Sequence, residues 1–205
     1  MPDSADYQAQ HKHRLSYMPW LYYRLKPRHL AWATPWQHEI QAQLRALETV
    51  EIGKNVFIAP EARLFAEPGR PIVIGDNSYI AADTVLHGPV TLGQHVSINH
   101  HASLDGGRAG IVIGDHCRIA AYCSLYAFNH GLAPDRLIRD QAVSSRGICI
   151  QSDVWLGSHT GVVDGVTMAE GAVAGMHSVV TRDVDAYQIV AGNPARAIGQ
   201  RQNNK

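Results

Sequence analysis

Cysteine is scarce: Cys117, Cys123 and Cys149 are the only three, and no two of them form a CxxC pair. That spacing predicts small buried thiols in a reducing compartment rather than a disulfide framework. Net charge is also missing. Eighteen basic residues balance eighteen acidic ones and the pI is near 7.2, so nothing suggests bulk attraction to nucleic acid or to an anionic membrane. No run of eighteen apolar residues occurs, so no transmembrane helix is expected. The stretch Met1–Asp6 lacks the basic start and apolar core of a signal peptide. The expectation is a cytoplasmic chain whose 205 residues build one domain with an ample core and a small appendage.

What is present begins with an aromatic and basic arm, residues 1–49. Its segment 15–28 carries Trp20, Tyr22 and Tyr23 between Pro19 and Pro27, and those prolines argue against one long helix. Thr34 reads as an N-cap with Pro35 in the first turn, and Ile40, Leu44 and Leu47 recur at helical spacing. A short amphipathic helix over 35–47 is therefore expected. Such an arm can lie on a membrane surface, but packing on its own domain or on a neighbouring subunit is the expectation.

From Val50 the text beats in sixes. Ile52, Ile58 and Leu64 form the first block, and Ile74, Ile80, Leu86, Leu92, Ile98 and Leu104 the second. Ile113, Ile119 and Leu125 follow, and then Ile150, Leu156, Val162, Met168, Ala174 and Val180. Eighteen apolar positions in register would arise by chance roughly one time in a thousand, so the beat is structural. A second column two residues earlier is small or apolar throughout, from Val50 to Ser178. Glycine often follows the main column, as at Gly75, Gly93, Gly114 and Gly157, where a turn residue with positive φ is expected.

A period of six containing a period of two describes short strands and tight turns stacked as a parallel β-helix. The beat breaks only after the third, ninth and twelfth hexapeptides, all multiples of three. Three hexapeptides per coil then give about six coils over residues 50–184, and every insertion leaves from one corner of a triangular prism. The longest insertion, 126–147, holds His130. Residues 185–205 read as a capping strand and loop followed by a polar tail. The fold class is all-β.

The series Asp153–Ser158, Gly165–Thr167, Gly171–Gly175, Ser178–Asp183 and Ala191–Arg196 resembles the hexapeptide-repeat acyltransferases over about residues 50–200. It is similar to the branch containing galactoside and maltose O-acetyltransferases and the O-acetyltransferases of surface-polysaccharide synthesis. The resemblance implies a left-handed β-helix, a homotrimer with sites between subunits, acetyl-CoA as acyl donor, and a sugar or glycan hydroxyl as acceptor.

Acyl transfer from a thioester needs a base for the acceptor proton, donors for the oxyanion and a groove for the cofactor. A histidine suits the first task, and His130 stands where the family carries its catalytic one. Asn99 and Asp105 fall at or near acceptor-contacting positions, though the family's acidic residue lies about two positions later, at Gly107. Trp155 and Ser158 match the strand lining the thioester channel. Gly175 and Met176 stand where backbone amides meet the pantetheine arm, and Arg182 and Arg196 where guanidinium groups reach cofactor phosphates. A turn-holding role for Asn99, plain packing for Trp155 and solvated ends for the arginines remain open alternatives.

N-acetylation of an amino sugar or small amine, an antibiotic included, is the second reading. Seven further histidines (His87, His95, His100, His101, His116, His159 and His177) lie on or near expected turns. They raise a zinc hydratase of the carbonic-anhydrase type, but their spacing reproduces no clear ligand set, and no metal is expected. A non-catalytic, partner-binding solenoid is the remaining class.

Overall fold

The computed structural model describes residues 5–202, and its centre is a solenoid of six three-stranded coils. Each coil contributes one strand to each of three parallel faces. The first face runs from Val50–Ile52 to Thr167–Met168, the second from Phe57–Ile58 to Val173–Ala174, and the third from Arg63–Phe65 to Val179–Val180. Register is strict: Ile74 pairs with Leu92, Leu92 with Ile113, and Ile113 with Ile150. The left-handed winding implied by the resemblance is in keeping with this architecture.

Period two explains the core. Side chains alternate across a strand, so residues two apart share a face. From Val56 onward every residue of both columns is buried. The hydroxyls placed in the inner column are satisfied by backbone carbonyls of adjoining turns. Ser78 Oγ donates to Gly93 O (3.0 Å), Thr160 Oγ1 to Gly175 O (3.2 Å) and Ser178 Oγ to the same oxygen (2.6 Å). Burying them therefore leaves no hydroxyl unpaired. Cys117 and Cys123 sit in this column as free thiols, and burial pushes both pKa values up to about 11.

The turns correct one expectation. Positive φ falls not on the glycines after the main column but on the residue before the inner column. Asn55, Asn77, His95, His116 and Asp153 take it between the first and second faces, and Asp83, His101, Tyr122, His159 and His177 between the second and third. Asn, Asp and His tolerate this conformation best among residues with a Cβ. Glycine is needed at Gly114 and Gly157 for space: a Cβ there would stand 2.8 Å from the backbone nitrogen of Ser152 and 2.6 Å from that of Met176.

The arm also differs from its expectation. Helix α1 spans Ala5–Tyr17, a 3-10 turn covers Pro19–Arg24, and α2 spans Pro27–Leu47, starting eight residues before the expected helix and running through Pro35. Pro27 occupies the first turn, where its missing N–H costs nothing, so Thr34 is interior and not a cap. Packing outweighs the bond lost at Pro35. Leu15, Tyr22 and Ala33 bury Phe57, Ala59, Tyr79 and Ala82 of the second face, with Trp32 and Trp36 alongside. The arm thus packs on its own chain.

Ile40 and Leu44 of α2 close the apolar end of the first coil. Gln37, 1% exposed, exchanges two hydrogen bonds with Ile58, and Gln41 Nε2 donates to Val56 O (2.8 Å), so the open sheet edge is capped by side-chain amides. At the other end Gln188–Ala191 extends the second face and Arg196–Gln200 pairs antiparallel to it, making two capping strands where one was expected. Arg201 continues the order, bridging Asp153 at 2.8 Å and lying over Tyr187; residues 203–205 of the expected polar tail lie outside the described residues. No helix among the described residues is long and apolar enough to cross a membrane.

Candidate functional site

All three insertions leave between the third and first faces, here the loop edge. Arg70 Nη2 donates to Gly88 O (2.6 Å) and Gly107 O (2.8 Å), tying the upper insertions together. Ser145 Oγ accepts the N–H groups of Arg108 and Ala109 (3.0 and 2.9 Å) and donates to Ala127 O (2.5 Å). The return arm of the long loop is thereby sewn to the coil above it. Asn129 and Ser144 exchange backbone hydrogen bonds of 2.8 and 2.9 Å across the loop's neck. The outer lobe is held by Gln141, which bonds Ala133 twice and Arg136 O once.

His130 follows that neck directly. Its ring is exposed and meets Phe128 edge-on at 6.1 Å. Phe128 lines a cavity of about 330 Å³ together with Asp105, Arg70 and Val143. Asp105 also borders a second cavity, about 410 Å³, on the third face with Phe65, Val85 and Tyr126. Among the described residues no hydrogen bond or ion pair engages this imidazole, and one of its nitrogens can take a proton from a hydroxyl or amine brought to it beside Phe128.

Asp105 does not reach His130. Its Oδ2 lies 3.2 Å from His87 Nδ1, its Oδ1 accepts the Gly107 N–H at 2.9 Å, and His87 Nε2 lies 3.2 Å from Glu67 Oε1. The hydrogen bonds, its own backbone's first and that of His87 second, hold the Glu67 carboxyl below its ordinary range. This carboxylate–imidazole–carboxylate chain went unforeseen, because His87 reads as a turn histidine and stands on a strand. The signal was its place two residues after the inner column's neighbour Val85, where side chains point outward.

The remaining predicted residues lie mostly elsewhere. Trp155, 52% exposed, projects from the second face of the fifth coil between Arg118 and Val173. Asn99, Ser158, Gly175 and Met176 lie on the edge between the second and third faces, here the ladder edge. Asn99 Nδ2 donates to Ile119 O (3.0 Å), so in this chain it holds a turn. Arg196 pairs across from Ala191, whose Cβ position borders Gly175, so the structure carries Arg196 toward that group. Arg182, exposed, follows the last strand of the third face and shares the loop edge with His130 instead. Two sets of residues result, on two edges of one prism.

The spare histidines are architectural. His101, Tyr122, His159 and His177 stack ring on ring at 4.7, 4.7 and 4.6 Å down the ladder edge, and His95 stacks on His116 at 4.9 Å between the first and second faces. Among the described residues no three His, Cys, Asp or Glu side chains are grouped to hold a metal ion.

No family model matches the chain. A probable acetyltransferase of Mycobacterium tuberculosis is 32% identical over 158 residues, 75% of this chain and 50% of that protein, so the chain spans about half the length of this relative. Among solved structures, a single-residue mutant of AntD, an N-acyltransferase from Bacillus cereus in complex with dTDP-4-amino-4,6-dideoxyglucose and coenzyme A, superposes with a TM-score of 0.71. It is 30% identical, covering 80% of this chain and 90% of that one. A hexapeptide-repeat-containing acetyltransferase from Vibrio cholerae superposes with a TM-score of 0.57 at 25% identity, covering 82% of each chain.

Proposed function

Because the chain belongs to the hexapeptide-repeat acyltransferase family, we propose that it transfers an acetyl group from acetyl-CoA to a hydroxyl of a sugar or glycan precursor. The observation that carries this reading is the loop clamped at its neck, which holds the His130 imidazole exposed against Phe128, a wall of the groove that Asp105 also borders. His130 removes the acceptor proton as the alcohol attacks the thioester carbonyl. The tetrahedral oxyanion is held by Ser158, through its hydroxyl or backbone N–H, and collapses with loss of the CoA thiolate, which takes up the proton. Trp155, Gly175 and Met176 line the pantetheine arm; Arg182 and Arg196 face the phosphates. Asp105 binds the acceptor, and Asn99, whose amide is engaged by Ile119 O and Tyr79 Oη, keeps its turn instead.

The separation of the two residue sets supports a site shared between copies, and in the homotrimer that the family resemblance implies the loop edge of one copy would meet the ladder edge of the next. Transfer to an amine is the second reading, favoured by the likeness to AntD, whose structure holds an amino sugar. CoA thiol release from acetyl-CoA with galactose, glucosamine, a dTDP-4-amino sugar and chloramphenicol separates the readings. His130→Ala is expected to lower turnover by a factor on the order of a thousand with fold and assembly intact. Near-wild-type turnover in that variant ends the assignment.

A further inference from the structure

One buried acid has no part in the chemistry above. Asp164, 1% exposed, stands at the loop edge of the fifth coil. Its Oδ1 accepts the N–H groups of Arg146 (2.8 Å) and Gly147 (2.9 Å), where the long loop returns to the prism. Its Oδ2 accepts Asn129 Nδ2 at 3.4 Å, on the outgoing arm, and lies 3.8 Å from Arg146 Nε. Arg146 Nη2 also donates to Asp164 O (3.1 Å), and Gly165 leaves room for that guanidinium, since a Cβ there would lie 2.5 Å from it. One carboxylate thus grips both arms of the loop, and the residue it holds on the outgoing arm immediately precedes His130.

We propose that Asp164 is the positioning residue for His130: through the Asn129 amide and the Arg146–Gly147 backbone it fixes the loop neck from which the imidazole projects. The inference rests on His130 being the base. A neck free to shift by about an ångström would misplace the base by enough to cost roughly a hundredfold in rate, without touching the acetyl-CoA groove.

The test is a donor–acceptor swap. Asp164→Asn removes the charge and one of the two acceptor oxygens that hold Asn129 and the Arg146–Gly147 N–H groups, and Asn129→Asp sets two carboxylates together. Each should lower kcat roughly ten- to a hundredfold with KM for acetyl-CoA unchanged, and each should speed hydrogen exchange over residues 127–147. The double variant Asn129→Asp/Asp164→Asn restores one donor facing one acceptor and should recover most of both. Turnover is read as CoA thiol release with the best acceptor of the panel above. Wild-type kcat in either single variant, or a double variant no better than the singles, overturns the proposal. Should Asp164→Asn fail to fold, the exposed Asn129→Asp and Asn129→Ala carry the kinetic and exchange readouts. His130→Ala run in parallel separates the two ideas. A fully active His130→Ala removes the base, whereas an inactive one beside a fully active Asp164→Asn removes only the positioning role.

Discussion

At the scale of single residues, the corners of this prism divide two tasks that sequence reading merges. Positive φ before the inner column is carried by Asn, Asp, His and Tyr at ten corners and by Gly171 at another, while Gly114 and Gly157 are kept where the next coil's backbone comes close. Gly157→Ala tests the second task at the candidate site. Its Cβ would meet Met176 N at 2.6 Å, and no flexible side chain can yield there. The substitution should destabilise the protein by roughly 1–3 kcal/mol and raise KM for acetyl-CoA, as Ser158 and Met176 are pushed apart. Thermal melts and initial-rate kinetics read the two effects; an unchanged KM would detach this corner from donor binding. The two core columns were legible because alternation in a strand is a strict rule. Asp164 was not, because its partners Asn129, Arg146 and Gly147 lie seventeen or more residues away across an aperiodic loop. His87 hid for another reason: it resembles the turn histidines until its strand is placed.

At the scale of elements, the arm is where propensity misled and packing decided. Pro35 reads as a start and is an interior residue, because α2 gains Ala33, Gln37 and Gln41 as buried contacts on the first two coils. The arm is also where acid should act first. Tyr17 Oη donates to Asp83 Oδ2 at 2.8 Å, beside His100 and His101, whose Nδ1 atoms lie 3.0 Å apart. Burial, then His101, lowers the His100 pKa against an opposing pull from Asp83; burial, then His29 and Arg14, lowers that of His11 in α1. Above the ordinary value of 6.5 both states leave these rings neutral and neither costs stability. As pH falls below it, the undocked state, with His11 freed on the arm and His100 uncovered on the prism beneath Tyr17, binds protons that the docked state resists, so docking weakens toward acid. Limited proteolysis at residues 13–26 should accelerate between roughly pH 7 and pH 5, and His100→Asn should flatten part of that rise. Cleavage independent of pH would show that these imidazoles do not govern the arm.

At the scale of the whole molecule, six coils fix where every residue can go. Counting hexapeptides in threes put all insertions on one edge, and the strand order bears this out. The same count separates His130 from Ser158, Gly175 and Met176 by one face of the prism, because the fold holds its edges apart as rigidly as its faces. A shared site between copies therefore makes a prediction that a site within one chain does not. In a cyclic trimer each site takes His130 from one copy and the donor groove from its neighbour, a head-to-tail arrangement. His130→Ala chains keep an intact groove, and Trp155→Ala chains keep an intact base with a weakened groove. Any trimer mixing the two contains one site with both parts native. Co-refolding equal amounts should therefore recover about a quarter of wild-type turnover, with the wild-type KM for acetyl-CoA. If base and groove belonged to one chain, no mixed trimer could hold a native site. The mixture would then show only the average of the two parents, with the raised KM of the Trp155→Ala protein.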